Sequence, residues 1–298
     1  MSERSLALND RGLAFGDGLF ETLFVHAGRP VLLGEHLARL RFGLVRLGLP
    51  EPSPEQVFAA LEAAIEPGRH GVCKLLVTAG PGRRGYRRPE DINLTVEAMF
   101  GPLPEPPDAG VVVGVSPVTL TGIEQLRGLK HLNRLPQVIA QERMPAGAGE
   151  ALMRDAEGRV VSGTMSNLFW REGNRWCTPP VVDGAIAGTR RAWWIERLSA
   201  DIVPCAPGRL ALAEEAFFCN ALSAWRPVSV LVGRALRVTQ APPGDAVVPI
   251  EGFWQPPADP DGNEMPVRAA WSDSLADALA GTHWGRLARQ ELGGGTPD

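Results

Sequence analysis

The strongest constraint on the fold is a short proline run, Pro102-Leu103-Pro104-Glu105-Pro106-Pro107. Proline has no N–H to give to a sheet ladder and holds its own φ, so this run cannot lie in a central strand and acts as a stiff connector. The chain therefore divides there, into residues 1–107 and residues 108–298, and its 298 residues leave each part long enough for its own core.

The first part mixes both kinds of period. Residues 13–25, LAFGDGLFETLFV, set a Gly-Asp-Gly turn before alternating residues that suit a half-buried strand, and HAGRP follows as a hairpin turn. From Gly34 to Gly48, the residues Leu37, Leu40, Leu44, Val45 and Leu47 recur at helical spacing; a second helix starts after Pro52-Ser53-Pro54. Residues 71–78 and 93–100 are β-rich runs. In the second part a strand at 111–118, helical character over 132–143, strands and turns over 150–182, a helix opening at 185–191 and a strand at 216–223 follow in turn. Residues 232–270, rich in Pro and Gly, predict irregular structure; a last helix spans Ser274 to Leu292, and 293–298 form a disordered tail. The fold class is α/β (α+β), in two domains.

Composition excludes several classes of function. A net charge of −4 with arginines scattered among acids offers no polyanion footprint, so no nucleic acid is expected. The N-terminal residues MSERSLALNDRG lack a basic segment followed by an apolar one, and nowhere do 18 apolar residues run together, so no membrane is expected and a cytoplasmic location is. Cys73, Cys177, Cys205 and Cys219 lie far apart and the five histidines form no ligand pattern, so no metal is expected.

Only two of the 30 basic residues are lysine, Lys74 and Lys130. Arginine serves solvation and ion pairing as well as lysine does, but only a primary amine can lose its proton near neutrality and condense with a carbonyl. Lys130, in GLKHLNRL near the middle of the chain, is therefore a candidate nucleophile. Residues 79–89 contain a literal G-x-G-x-x-G after a strand. A dinucleotide fingerprint must run into a helix, whereas here Tyr-Arg-Arg-Pro follows, so the segment fits better as a flexible arginine-rich lid or anion-collecting loop. Arg39, taken alone, is a helix-surface cation four residues after Glu35.

GLKHLNRL, together with FGDGLFET, EHLARL, SGTMSNLFW, GTRR and CNALS in this order, resembles the fold-type IV pyridoxal-phosphate enzymes, and within them the aminodeoxychorismate lyase branch. The resemblance runs from about residue 10 to about residue 230. It implies a D-amino acid aminotransferase-like fold with a barrel-like sheet in the C-terminal domain, pyridoxal 5'-phosphate as cofactor, and a homodimer. It implies Lys130 as the residue that holds the cofactor and moves protons, and Arg39 as a phosphate ligand. Gly188, Thr189, Ser223 and Ala224 are implied to complete the phosphate cup.

One position departs from the family pattern. A Glu usually stands five residues before the Asn of Asn-Leu-Phe as partner of the pyridine nitrogen, and here Ser162 occupies it. A hydroxyl does not enforce a charge on that nitrogen, so the electron sink weakens. Elimination that makes an aromatic ring tolerates this better than transamination does. The function expected is therefore a lyase that removes pyruvate from 4-amino-4-deoxychorismate, a small-molecule substrate, to give 4-aminobenzoate for folate biosynthesis. The alternative is a same-fold aminotransferase acting on branched-chain or D-amino acids. The substrate's two carboxylates call for cations, for which Arg83, Arg84, Arg87, Asn133 and Arg134 are candidates, while Tyr86, the single tyrosine, is expected to pack.

Overall fold

Locally satisfied caps decide how the chain begins. In the computed structural model, which describes residues 6–105, 110–182, 184–239, 249–250, 253–254, 277 and 280–292, Asp10 accepts a hydrogen bond from Gly12 N (2.7 Å) and Gly16 closes the turn at φ 67°. A short helix, α1 (Arg11–Phe15), results ahead of the Gly-Asp-Gly turn, where no element is expected from the spacing. Strand β1 (Gly18–His26) follows the Gly-Asp-Gly turn. Ala27 and Gly28, both left-handed (φ 48° and 80°), turn it into β2 (Arg29–Pro30).

Helix α2 (Leu33–Leu47) stops at the left-handed Gly48, and α3 (Pro54–Ala64) starts at a capping box between Ser53 and Gln56. Strands β3 (Gly71–Thr78) and β4 (Thr95–Gly101) complete an antiparallel sheet in the order β2-β1-β3-β4. Leu19, Leu23, Val25, Cys73, Leu75 and Val77 turn one face of this sheet into a core shared with Leu37, Leu40, Leu44, Val57 and Leu61 of the helices. The opposite face, with Phe20, Thr22, Lys74 and Leu76, stays partly open.

The proline run follows β4, and a second sheet begins beyond it with β5 (Val111–Thr119). Helix α4 (Leu135–Glu142) precedes β6 (Glu150–Arg154), β7 (Val160–Ser162), β8 (Asn167–Glu172) and β9 (Arg175–Thr178). Helix α5 (Thr189–Leu198), β10 (Asp201–Ile202), β11 (Glu215–Cys219), β12 (Arg226–Leu231) and β13 (Arg234–Ala235) complete it. The order is β10-β9-β8-β11-β12-β5-β6-β7, with β13 on β12. Its two ends meet: Val160 N in β7 donates to Cys205 O just past β10 (2.8 Å), so the sheet curls into a barrel-like form.

A two-stranded hairpin, β14 (Pro249–Ile250) and β15 (Phe253–Trp254), lies within the segment expected to be irregular, most of which falls outside the described residues, as does the 293–298 tail. The last helix, α6 (His283–Leu292), lies within the 274–292 expected; residues 277, 280 and 281 before it are also helical, with a break at Thr282, while 274–276 and 278–279 are outside the described residues. No helix among the described residues is long and apolar enough to cross a membrane.

The glycine fingerprint at 80–85 has a steric explanation. Gly80 sits at φ 70°, and a Cβ there would lie 1.7 Å from Asn93 O, so glycine is demanded by a crossing of two backbones. Gly80→Ala is expected to destabilise the protein by about 2 kcal/mol or more, read from the midpoint of urea unfolding at constant m-value.

Candidate active site

Lys130 is held by backbone bonds on two sides. Phe20 N donates to Lys130 O (3.0 Å) and Leu132 N to Gly18 O (3.1 Å), so residues 130–132 extend β1's sheet by a short bridge. On the other side Gly128 N donates to Ala185 O (3.1 Å) and Ala187 N to Gly128 O (3.0 Å). Asn133 Nδ2 donates to Gly16 O (3.1 Å), and Gly16 is needed there because a Cβ would lie 2.4 Å from Asn133 Oδ1. Lys130 Nζ stands 4.2 Å from the centre of the Phe20 ring. Burial lowers its pKa most, the Arg39 cation adds to this, Glu21 opposes it, and Arg134 and Lys74 add again; the amine falls to about 7.

Arg39 does not make the surface contact with Glu35 that its spacing allows. It is buried at 4 % exposure, with Nε donating to Glu21 Oε1 (2.8 Å), Nη2 to Glu21 Oε2, and Nη1 to Ala187 O (2.9 Å). Three of its five N–H groups are thus used and two remain. His36 Nδ1 donates to the same carboxylate (2.6 Å), and the Thr189 hydroxyl lies 3.5 Å from His36 Nε2. Burial alone would raise Glu21, but the Arg39 charge and the hydrogen bonds from Arg39 and His36 outweigh it and hold the carboxyl at about 2. Burial pushes His36 below its usual range, against the opposing pull of the Glu21 carboxylate.

Beside this group, Gly188 and Thr189 begin α5 without a side-chain cap. A Cβ at Gly188 would lie 2.1 Å from Asn167 Oδ1, and Asn167 Nδ2 donates to Ile186 O (3.1 Å). Ser223 and Ala224 form a second turn, in which Asn220 Oδ1 accepts from Leu222 N (2.9 Å) and Ser223 N (2.8 Å). Trp194 Nε1 of α5 donates to Ala224 O (2.7 Å), tying the two turns together, and Ala224 packs against Phe24 of β1.

Ser162 is buried at the end of β7, opposite Met153. The fully buried Glu150 lies next to that strand end, where Thr164 and Ser166 hydroxyls and Thr164 N donate to its carboxylate.

The five cationic or amide candidates for substrate binding do not converge on Lys130. Arg134 is near it, but its Nε and Nη2 hold the carbonyls of His131 (2.8 Å) and Leu129 (3.2 Å) on either side of the lysine. Arg87 and Asn133 line a pocket of about 550 Å³ with Arg11, Asp17, Arg88 and His131, which Lys130 does not line. Arg83 and Arg84 are exposed, and so is Tyr86, which meets Phe15 edge-on (5.4 Å) instead of packing inside. The loop is not a free lid either. Asp17 takes Arg11 Nε (2.8 Å) and both Arg88 Nε (3.0 Å) and Nη2 (2.5 Å), and Arg11 Nη2 donates to Tyr86 O (2.7 Å), which pins the loop base to α1.

Several members of the site escape sequence reading. Glu21, His36, Phe20 and Asn167 sit inside the recognised motifs without a signal that singles them out. Lys74 had one: it is the only other lysine, and its pairing with Thr22 puts its Nζ 4.6 Å from the same Phe20 ring.

Comparison with known proteins agrees with this geometry. A sequence model described as amino-transferase class IV matches residues 18–231. Aminodeoxychorismate lyase of Vibrio harveyi is 28% identical over 244 residues, covering 77% of this chain and 88% of that protein. D-alanine aminotransferase of Bacillus licheniformis is 32% identical over 196 residues, covering 64% of this chain and 68% of that protein. The crystal structure of 4-amino-4-deoxychorismate lyase from Pseudomonas aeruginosa is similar at 37% identity and a TM-score of 0.74, covering 80% of this chain and 92% of that one. With residues 18–231, well over half of its length, matched by that model, the chain belongs to the class IV amino-transferase family.

Proposed function

We propose that this protein is a lyase that releases pyruvate from 4-amino-4-deoxychorismate to leave 4-aminobenzoate. The observation that carries the choice within the family is the likeness to the Pseudomonas aeruginosa lyase along nearly all of that chain. The family is pyridoxal-phosphate-dependent, and the donor set fits that group. An aldehyde needs a neutral amine, which Lys130 supplies at about pH 7. A phosphate dianion needs N–H donors, which Arg39 retains after its bonds to Glu21 and Ala187, and which the α5 start and the Ser223-Ala224 turn add. Glycine at 188 lets the Asn167 side chain lie against the start of α5, since a Cβ there would be 2.1 Å from Asn167 Oδ1.

When bound, the cofactor supplies an electron sink conjugated to the amine-bearing carbon of the substrate. The remaining work falls to the chain. Lys130 acts as a base toward the proton on that carbon and, once protonated, as an acid toward the departing enolpyruvate oxygen; its pKa near 7 suits both directions. Enolpyruvate then tautomerises to pyruvate. Phe20 excludes water from one side of the amine. Lys74, on the same sheet face, offers a cation to a substrate carboxylate. Ser162 takes the pyridine-nitrogen position with a hydroxyl, which suits a reaction driven by ring aromatisation.

Three outcomes are expected. Lys130→Ala lowers 4-aminobenzoate formation by about 10²–10⁴-fold or more and abolishes the cofactor adduct trapped on the protein by borohydride, measured by intact mass. In cofactor-free protein, Lys130 is an ammonium below its pKa and a free amine above it, so acylation mapped by mass spectrometry reaches half its maximal rate near pH 7; a midpoint in the ordinary lysine range would contradict the role given to burial and Arg39. Wild type turns over aminodeoxychorismate far faster than it transaminates D-alanine or branched-chain amino acids, and Ser162→Glu narrows that gap by raising transamination. Efficient transamination by wild type would favour the aminotransferase reading instead, in keeping with the D-alanine aminotransferase relative.

A further inference from the structure

The family match ends at residue 231, yet α6 at 283–292 touches three of the segments that carry the site: α2, the start of α5 and the stretch before Lys130. Its start is received by α2, the helix of Arg39: the Glu35 carboxylate accepts His283 N (3.0 Å) and Trp284 N (2.8 Å), and Trp284 meets Phe42 edge-on at 5.4 Å. Its end is tied to the first turn of α5, where Arg191 Nη1 and Nη2 donate to Glu291 (2.6 and 2.9 Å). Leu292 fills the space beside Gly128, two residues before Lys130: a Cβ on that glycine would lie 2.7 Å from Leu292 Cδ1. Arg46 Nη1 of α2 donates to Leu292 O (3.2 Å).

The decisive contact is at the carbonyl of Ala187. It accepts Arg39 Nη1 (2.9 Å) and, on its second lone pair, Trp284 Nε1 (2.9 Å), with the indole fully buried. Carbonyl and amide of one peptide unit are coplanar and point in opposite directions, so fixing Ala187 O also fixes where Gly188 N–H points. An indole serving only to fill space would not need its N–H aimed at the one carbonyl that Arg39 also uses.

We propose that α6 is a strap that sets the phosphate cup from behind, and that Trp284 is a positioning residue acting through the Ala187–Gly188 peptide. This rests on the reading of Arg39 and residues 187–189 as the cup. The strap does not touch the ligand. The effect of Trp284 falls at the phosphate end, so it should distinguish ligands with and without that group.

The test titrates cofactor-free full-length protein with pyridoxal 5'-phosphate and, separately, with pyridoxal, following absorbance, with near-UV circular dichroism and thermal midpoint as checks of folding. Trp284→Phe keeps an aromatic ring and removes the N–H; it is expected to weaken pyridoxal 5'-phosphate binding by about tenfold, the effect of one buried hydrogen bond, and to leave pyridoxal binding unchanged. Glu291→Gln, which loosens the other end, is expected to shift the ratio of the two affinities in the same direction by less. Equal weakening of both ligands by Trp284→Phe would reduce α6 to general packing and overturn the strap. A ratio unmoved by Trp284→Phe but collapsed by Arg39→Met would overturn the strap and spare the cup. A ratio unmoved by both would overturn the cup reading and the strap with it.

Discussion

The buried pair between Glu21 and Arg39 is the interaction on which the rest of the site depends. Neither charge could be carried into the interior alone, since an unpaired buried ion costs several kcal/mol, and together they also employ His36 and the Ala187 carbonyl. The pair joins β1 to α2 and both to Ala187, just before the start of α5, adding a polar tie to the apolar core that β1 and α2 already share. It also sets the electrostatics of Lys130. Burial lowers the lysine pKa most, the guanidinium adds to it and Glu21 partly offsets both, which leaves the amine at about 7.

The two turns proposed to form the phosphate cup are tied to each other. One is a helix start, the other a turn closed by the Asn220 side chain, and Trp194 links them across 30 residues of sequence by a single indole bond to Ala224. Around that bond Phe217 and Trp225 stack at 3.6 Å, with Trp194 and Trp176 edge-on to them. Preorganisation of this kind spares the ligand the entropy of ordering two turns.

How far the residues disclosed this arrangement depends on the range of the interaction. Local signals were legible: Gly71–Thr78 is the strand its β-branched run predicts, α2 and α3 follow their apolar period, and Lys130 stood out because arginine had replaced nearly every other lysine. The five-residue helix at 11–15 is too short to show an apolar period, and only the Asp10 and Gly16 caps define it. Glu35 and Arg39 illustrate the deeper limit. Helical spacing offers them each other, but the structure sends Glu35 to α6 and Arg39 to β1, since burial gives each a better partner. Contacts such as Arg191 with Glu291, 100 residues apart, leave no trace in any local pattern. Nor does spacing say that a loop with four arginines will spend Arg88 on anchoring while Arg83 and Arg84 are left outside.

That loop has a consequence for how the protein can change over generations. It is clamped by Asp17 through Arg11 and Arg88, and Arg11 also holds the carbonyls of Gly85 and Tyr86, whereas the side chains of Arg83 and Arg84 at the tip are exposed. Substitutions at the tip therefore cost the fold little, and a side chain acquired there is presented from a fixed mount. The loop separates the part that must be kept from the part that can be tried out, which makes its tip a place for new contacts to arise without first destabilising the chain.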